Sequence, residues 1–82
     1  MRVRVLYFAG ARDAAGCAEE RLDLPPAVTT VADFTRHVAA LHTSLASHIA
    51  QIRVARNEAF AEPSERIDEG DTLALIPPVA GG

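Results

Sequence analysis

The sequence predicts an α+β domain, a mixed sheet of four to five strands packed on one main helix. Three observations carry that reading. Alternating apolar and polar residues recur over 2–8, 19–24, 52–56 and 72–76, the period of a half-buried strand. One stretch only, opening at Thr30, repeats apolar residues at helical spacing. The chain has 82 residues, one domain, and a domain of this size buries only about 60% of the surface its unfolded chain exposes. Little core is left for an internal catalytic cavity, which points to a carrier, binding module or subunit rather than a stand-alone enzyme.

The first strand reads Arg-Val-Arg-Val-Leu-Tyr-Phe, with Val3, Val5 and Tyr7 on one face and Arg2, Arg4, Leu6 and Phe8 on the other. The second face starts charged and ends apolar, the pattern of a local contact surface. Residues 10–18 read as a loop with at most one helical turn. Residues 19–24 resume alternation, Leu22 and Leu24 inward, Arg21 and Asp23 outward, and Pro25-Pro26 stops the strand. Thr30 begins the helix as a hydroxyl N-cap with Asp33 three residues on. Val31, Phe34, Val38 and Leu41 form its stripe, and it ends near His42; residues 43–50 are a helical turn or a loop. Ile52–Arg56 is a third strand, and Asn57-Glu58 a tight turn. The loop 63–71 turns at Glu69-Gly70-Asp71 into a last strand, Thr72–Ile76, with Leu73 and Leu75 inward and Ala74 and Ile76 outward. Pro77-Pro78 ends it.

The first and last strands are the densest in β-formers and are expected as central neighbours, running parallel with the helix in the crossover between them. That is the β-grasp, or ubiquitin-like, layout, a single domain over 1–82 with a flexible tail over 77–82.

Composition narrows the function. A net charge of −3 with no arginine stripe argues against nucleic acid as a partner. The N-terminal apolar run is too short for a membrane span and lacks the layout of a signal peptide. Cys17, the one cysteine, allows no intrachain disulfide and makes the cytoplasm the default location; it reads as a bystander thiol. All eight basic residues are arginine, a pattern that codon bias explains and that also leaves an activated terminus no internal ε-amine to meet. His37, His42 and His48 have no metal-ligand spacing and read as surface or helix-end residues, so no metal and no bound cofactor is expected. Glu65, Asp68, Glu69 and Asp71 read as a solvated acidic loop, or a contact for a basic partner.

The tail remains. Two prolines stiffen its exit from the sheet, and Gly81-Gly82 removes every Cβ from its last residues. A narrow channel can then grip Val79, Ala80 and Gly81 by backbone and leave the Gly82 carboxylate open. Six extended residues from Pro77 reach roughly 20 Å, enough to thread that carboxylate into a partner's active site. A carboxylate is a poor electrophile until adenylated. A sulfide equivalent can then displace AMP and leave a thiocarboxylate, a soft nucleophile. Gly82 is on this reading a carrier terminus, and Phe8, Phe60 and Ile76 are the apolar residues expected at the partner interface.

The segments Leu6–Gly16, Asn57, Ile67–Leu73 and Ile76–Gly82 together resemble the small subunits of molybdopterin synthase, by pattern across nearly the full chain. The most specific parts are Phe8-Ala-x-x-Arg12 and the Pro-Pro-Val-x-Gly-Gly ending. The resemblance implies a ubiquitin-like fold and a C-terminal thiocarboxylate on Gly82. It implies activation, with ATP, by an adenylyltransferase of the ubiquitin-activating type and a sulfur donor such as a cysteine desulfurase. It implies assembly with a large catalytic subunit as a heterotetramer, in which this chain, itself non-catalytic, donates sulfur to cyclic pyranopterin monophosphate in molybdenum cofactor biosynthesis. Phe8, Phe60 and Ile76 match its partner-contact positions. The family often has an aromatic residue where this chain has Ile76, and a hydroxyl residue at Ala80. Taken alone, the residues leave open a sulfur carrier for thiamin, cysteine or tRNA thiolation, a ubiquitin-like protein modifier, and an interaction domain with an inert tail.

Overall fold

The computed structural model describes residues 1–78. Arg2–Tyr7 form β1, Ala9–Ala15 α1, Glu19–Asp23 β2, Val31–Leu41 α2, Arg53–Arg56 β3, Ala59–Phe60 β4 and Thr72–Ile76 β5. Two 3₁₀ turns, Thr43–Leu45 and Ile49–Gln51, lead from α2 to β3. The strands make one mixed sheet in the order β2-β1-β5-β3-β4. β1 and β5 lie parallel at its centre, and the β1–β2, β3–β5 and β3–β4 pairs are antiparallel. This is the β-grasp arrangement expected from the alternation.

The core follows from the two periodicities. Val3, Val5, Tyr7, Leu73 and Leu75 point to one face of the sheet and are at most 2% exposed. Val31, Phe34 and Val38 of α2 close over them. The first turn of α2 leaves no donor orphaned. Val31 N–H and Ala32 N–H bond the carbonyls of Glu65 and Pro63, and Phe34 N–H bonds that of Thr30. Thr30 and Asp33 form the expected capping box.

The structure differs from the sequence reading in four places. Residues 9–15 are a two-turn helix rather than a loop, because Ala11 is buried and Gly16, at φ +79, closes the helix with its N–H on the Arg12 carbonyl. Leu41, placed on the core stripe, is 50% exposed at the last residue of α2; Leu45, brought back by the next turn, is fully buried instead. Asn57 and Glu58, at φ 50 and 72, turn the chain tightly enough to add the short edge strand β4. Finally, the acidic loop is neither simply solvated nor waiting for a partner.

That loop is tied down by Arg56 of the same chain. Its guanidinium donates to Asp71 Oδ2 at 2.6 Å, Asp68 Oδ2 at 2.8 Å and Glu65 Oε2 at 3.3 Å. Asp71, 6% exposed, also accepts from the Asp68 N–H and from the Asn57 amide. Burial alone would raise the Asp71 pKa, but those donors outweigh it and hold the carboxyl below its usual range. A second acid, Glu20, sits under the α2 C-terminus. It accepts from the Tyr7 hydroxyl at 2.5 Å and from His42 Nε2 at 2.6 Å, and His42 packs edge-on to the Tyr7 ring. His42 is therefore a helix-end residue, as expected, but one with a structural partner. Burial and the Glu20 carboxylate push the Tyr7 hydroxyl pKa well above its ordinary value.

A carboxyl whose folded pKa is depressed contributes stability above its unfolded pKa and loses it as pH falls through the folded one. Asp71→Ala is expected to cost about 2 kcal/mol in urea unfolding at neutral pH, since it strands the Arg56 and Asn57 donors. The deficit relative to the unmutated chain should begin to shrink as pH falls below about 4, the pKa of an aspartate in the unfolded chain, and go on shrinking as pH falls through the lower folded-state pKa of Asp71. A deficit of equal size at both pH values would contradict this account.

Candidate functional site

The face of the sheet away from α2 carries no element among the described residues. One row runs across it, in which Leu6 opposes Ala74, Ala74 opposes Ala55 and Ala55 opposes Phe60. The two central side chains are single methyls. Leu6, Phe8, Phe60 and Ile76 stand around them, and the result is an apolar hollow of ≈ 260 Å³ floored by Ala55 and Ala74, with Glu58 and Thr72 also lining it. Phe8 and Phe60 are 47% and 55% exposed, large apolar surface left in water.

Local structure fixes each wall. Phe8 is the N-cap residue of α1 at φ −115, ψ 150, so the β1 alternation extends through it, and its N–H bonds the Leu75 carbonyl at 3.2 Å. Ala9 then takes φ 48, a left-handed conformation that L-residues adopt at a cost, and the chain turns sharply into α1 while Phe8 stays at the hollow. Phe60 sits on the edge strand with the Arg53 guanidinium 3.9 Å from its ring centroid, a cation–π contact. Arg53 in turn opposes Ile76 across the β3–β5 ladder.

The structure thus brings together the three residues expected at a partner interface, Phe8, Phe60 and Ile76. Sequence reasoning missed Ala55 and Ala74. The available signal was small residues at outward strand positions between large apolar ones, which forms a hollow only once the register is known. The tail leaves from the same strand as Ile76, through half-buried Pro77 and exposed Pro78. Val79, Ala80 and Gly81, expected to thread a channel, and Gly82, expected to carry the reacting group, lie outside the described residues.

The remaining chemistry is sparse. Cys17 is half-buried; burial first, then the Glu20 carboxylate, pushes its thiol pKa up, away from the reactive thiolate. Among the described residues no group of histidine, cysteine and carboxylate side chains is arranged to hold a metal ion, and no helix is long and apolar enough to cross a membrane. What the described site offers is exposed apolar surface beside the last residues of β5.

Comparison with known proteins agrees with that geometry. The molybdopterin synthase sulfur carrier subunit of Chlamydomonas reinhardtii is 33% identical over 84 residues, covering 100% of both chains. The protein of the same description from Mycobacterium tuberculosis is 32% identical over 85 residues, covering 100% of this chain and 99% of its own. The crystal structure of SAMP1, small archaeal modifier protein 1, from Haloferax volcanii superposes with a TM-score of 0.87 at 31% identity, over 100% of both chains. The ThiS family matches residues 5–82. Fold, outward apolar face and full-length similarity converge, and the chain belongs to the ThiS family.

Proposed function

We propose that this protein is the sulfur carrier of molybdenum cofactor biosynthesis, working in the cytoplasm. The full-length similarity to molybdopterin synthase sulfur carrier subunits carries the reading. The hollow at Phe8, Phe60 and Ile76, beside the strand that leads into the Gly-Gly tail, supports it.

The steps follow from the chemistry of a terminal carboxylate. An adenylyltransferase of the ubiquitin-activating type seats the open sheet face and receives the tail. The Gly82 carboxylate attacks the α-phosphorus of ATP and pyrophosphate leaves. A sulfide equivalent, drawn from a donor such as a cysteine desulfurase, adds to the acyl carbon, and AMP departs with the bonding electron pair. The same face then docks on the large subunit of molybdopterin synthase, in a heterotetramer. There the thiocarboxylate delivers sulfur to cyclic pyranopterin monophosphate, and hydrolysis returns the carboxylate. One face serves two partners in turn, so neither complex can be made permanent by deeper burial. A shallow hollow with aromatic walls suits that exchange, because aromatic anchors give much contact area for little ordering. Glycine at 81 and 82 lets the enzyme channel close on backbone.

A second reading is a protein modifier joined to target lysines through Gly82, favoured by the similarity to small archaeal modifier protein 1. High-mass conjugates that vanish when Gly82 is deleted would support it.

Two measurements test the carrier reading. Incubation with ATP, the cognate activating enzyme and a sulfur donor should raise the intact mass by the oxygen-to-sulfur difference, and deletion of Gly82 should abolish the gain. An unchanged mass with a competent activating enzyme would refute it. Phe8→Ala with Phe60→Ala should weaken binding to the large subunit at least about tenfold, the loss typical of removing aromatic anchors. The same pair should shift urea unfolding by less than about 1 kcal/mol, because both rings are half in water already.

A further inference from the structure

We propose that the arginine end of the open sheet face, Arg2 and Arg21, receives carboxylates of the partner protein seated on the apolar hollow, so that the surface selects acidic partners. The inference rests on the docking role given above to the hollow, and specifies the chemistry of what docks there.

The register supplies the first observation. Arg4 of β1 stands directly opposite Arg21 of β2, both exposed on the open face. Like charges in that position destabilise a strand pair. The fold relieves only one of them. Glu19 takes Arg4 in a bidentate pair, at 2.8 and 3.0 Å. Among the described residues Arg21 makes no ion pair, and neither does the Arg2 guanidinium.

The neighbouring acids are engaged elsewhere. Glu19 is held by Arg4, Asp23 lies 3.7 Å from the Met1 amino group, and Glu69 accepts the Arg2 backbone N–H at 3.0 Å. Two guanidiniums, each with a planar fork of donors suited to carboxylate, are thus exposed with no ion-pair partner within 4 Å among the described residues.

Their position makes them part of the docking surface. A concavity of ≈ 370 Å³ is lined by Arg2, Arg4, Arg21, Glu69 and Thr72 among others, and Thr72 also lines the apolar hollow. The two depressions thus adjoin at one residue of β5. A protein partner that places an apolar side chain over Ala55 and Ala74 and extends along β1 past Thr72 reaches both guanidiniums. The chain as a whole carries −3, whereas this end of the face sets Arg2, Arg4, Arg21 and the Met1 amino group against Glu19, Asp23 and Glu69, a small local excess of positive charge. Local complementarity of that kind sets orientation and association rate more than final affinity. Two free guanidiniums are too few to track a nucleic-acid backbone, so a protein carboxylate fits better.

Arg2→Gln with Arg21→Gln tests this, since both side chains are exposed and the fold should be kept. In amide-resolved NMR, a hexaglutamate peptide should shift the backbone signals of residues 2–4 and 21–23 saturably, and hexaglutamine should not. The double variant should lose those shifts. Absence of saturable shifts, their persistence in the double variant, or saturation by inorganic phosphate at lower concentration than by the peptide would each overturn the proposal. Against the large subunit at low salt, the double variant should associate at least about tenfold more slowly with little change in dissociation rate. A large subunit that binds neither form would refute the partner named above, and the peptide titration would still decide the arginines.

Discussion

The parallel pairing of β1 with β5 is the constraint on which the rest of the molecule depends. The two strands register Val5 with Leu73 and Tyr7 with Leu75, and all four side chains are buried under α2. Parallel neighbours need a long crossover, and everything between the two strands is that crossover. α2 is its covering layer; β2 and β3 are the flanks that complete the ladders on either side. The same pairing places Phe8 against the end of β5, so the tail root and the exposed aromatic surface are neighbours by construction.

Polar groups are arranged around this pair at its two ends. Asp71, just before β5, gathers Arg56, Asn57 and the Asp68 N–H, and fixes the loop that returns the chain to the sheet centre. Glu20 does the corresponding work at the far side, joining β2 to Tyr7 of β1 and to His42 at the end of α2. Each acid is held charged by donors from two separate segments, so acidification loosens the sheet at both places. Between them the open face remains free of such ties, and its character changes along the strands from charged to apolar.

That gradient was legible in β1 alone, where Arg2 and Arg4 give way to Leu6 and Phe8 on one face. So were the capping box at Thr30, the central strands and the turn at Asn57-Glu58. The hollow was not. It exists because Ala55 and Ala74 meet in the β3–β5 register, a contact between residues far apart in sequence. Helix α1 was hidden because Gly10 and the lack of a side-chain cap weaken its local signal, and packing of Ala11 decides it. The pairing of Arg56 with the acidic loop was hidden for the same reason as the hollow.

By itself the sequence determined the fold class, the inward face of each main strand and the aromatic residue left on the outer face of the first one, because side-chain period and turn chemistry are local properties of the chain. Only the tertiary structure decided which outward residues share a surface, which acids are held and which arginines are not. Those depend on strand order and register, and a one-residue shift of a strand's register would move its side chains to the other face. The Gly-Gly ending belongs to the first kind of fact, and the apolar hollow beside Ile76 to the second.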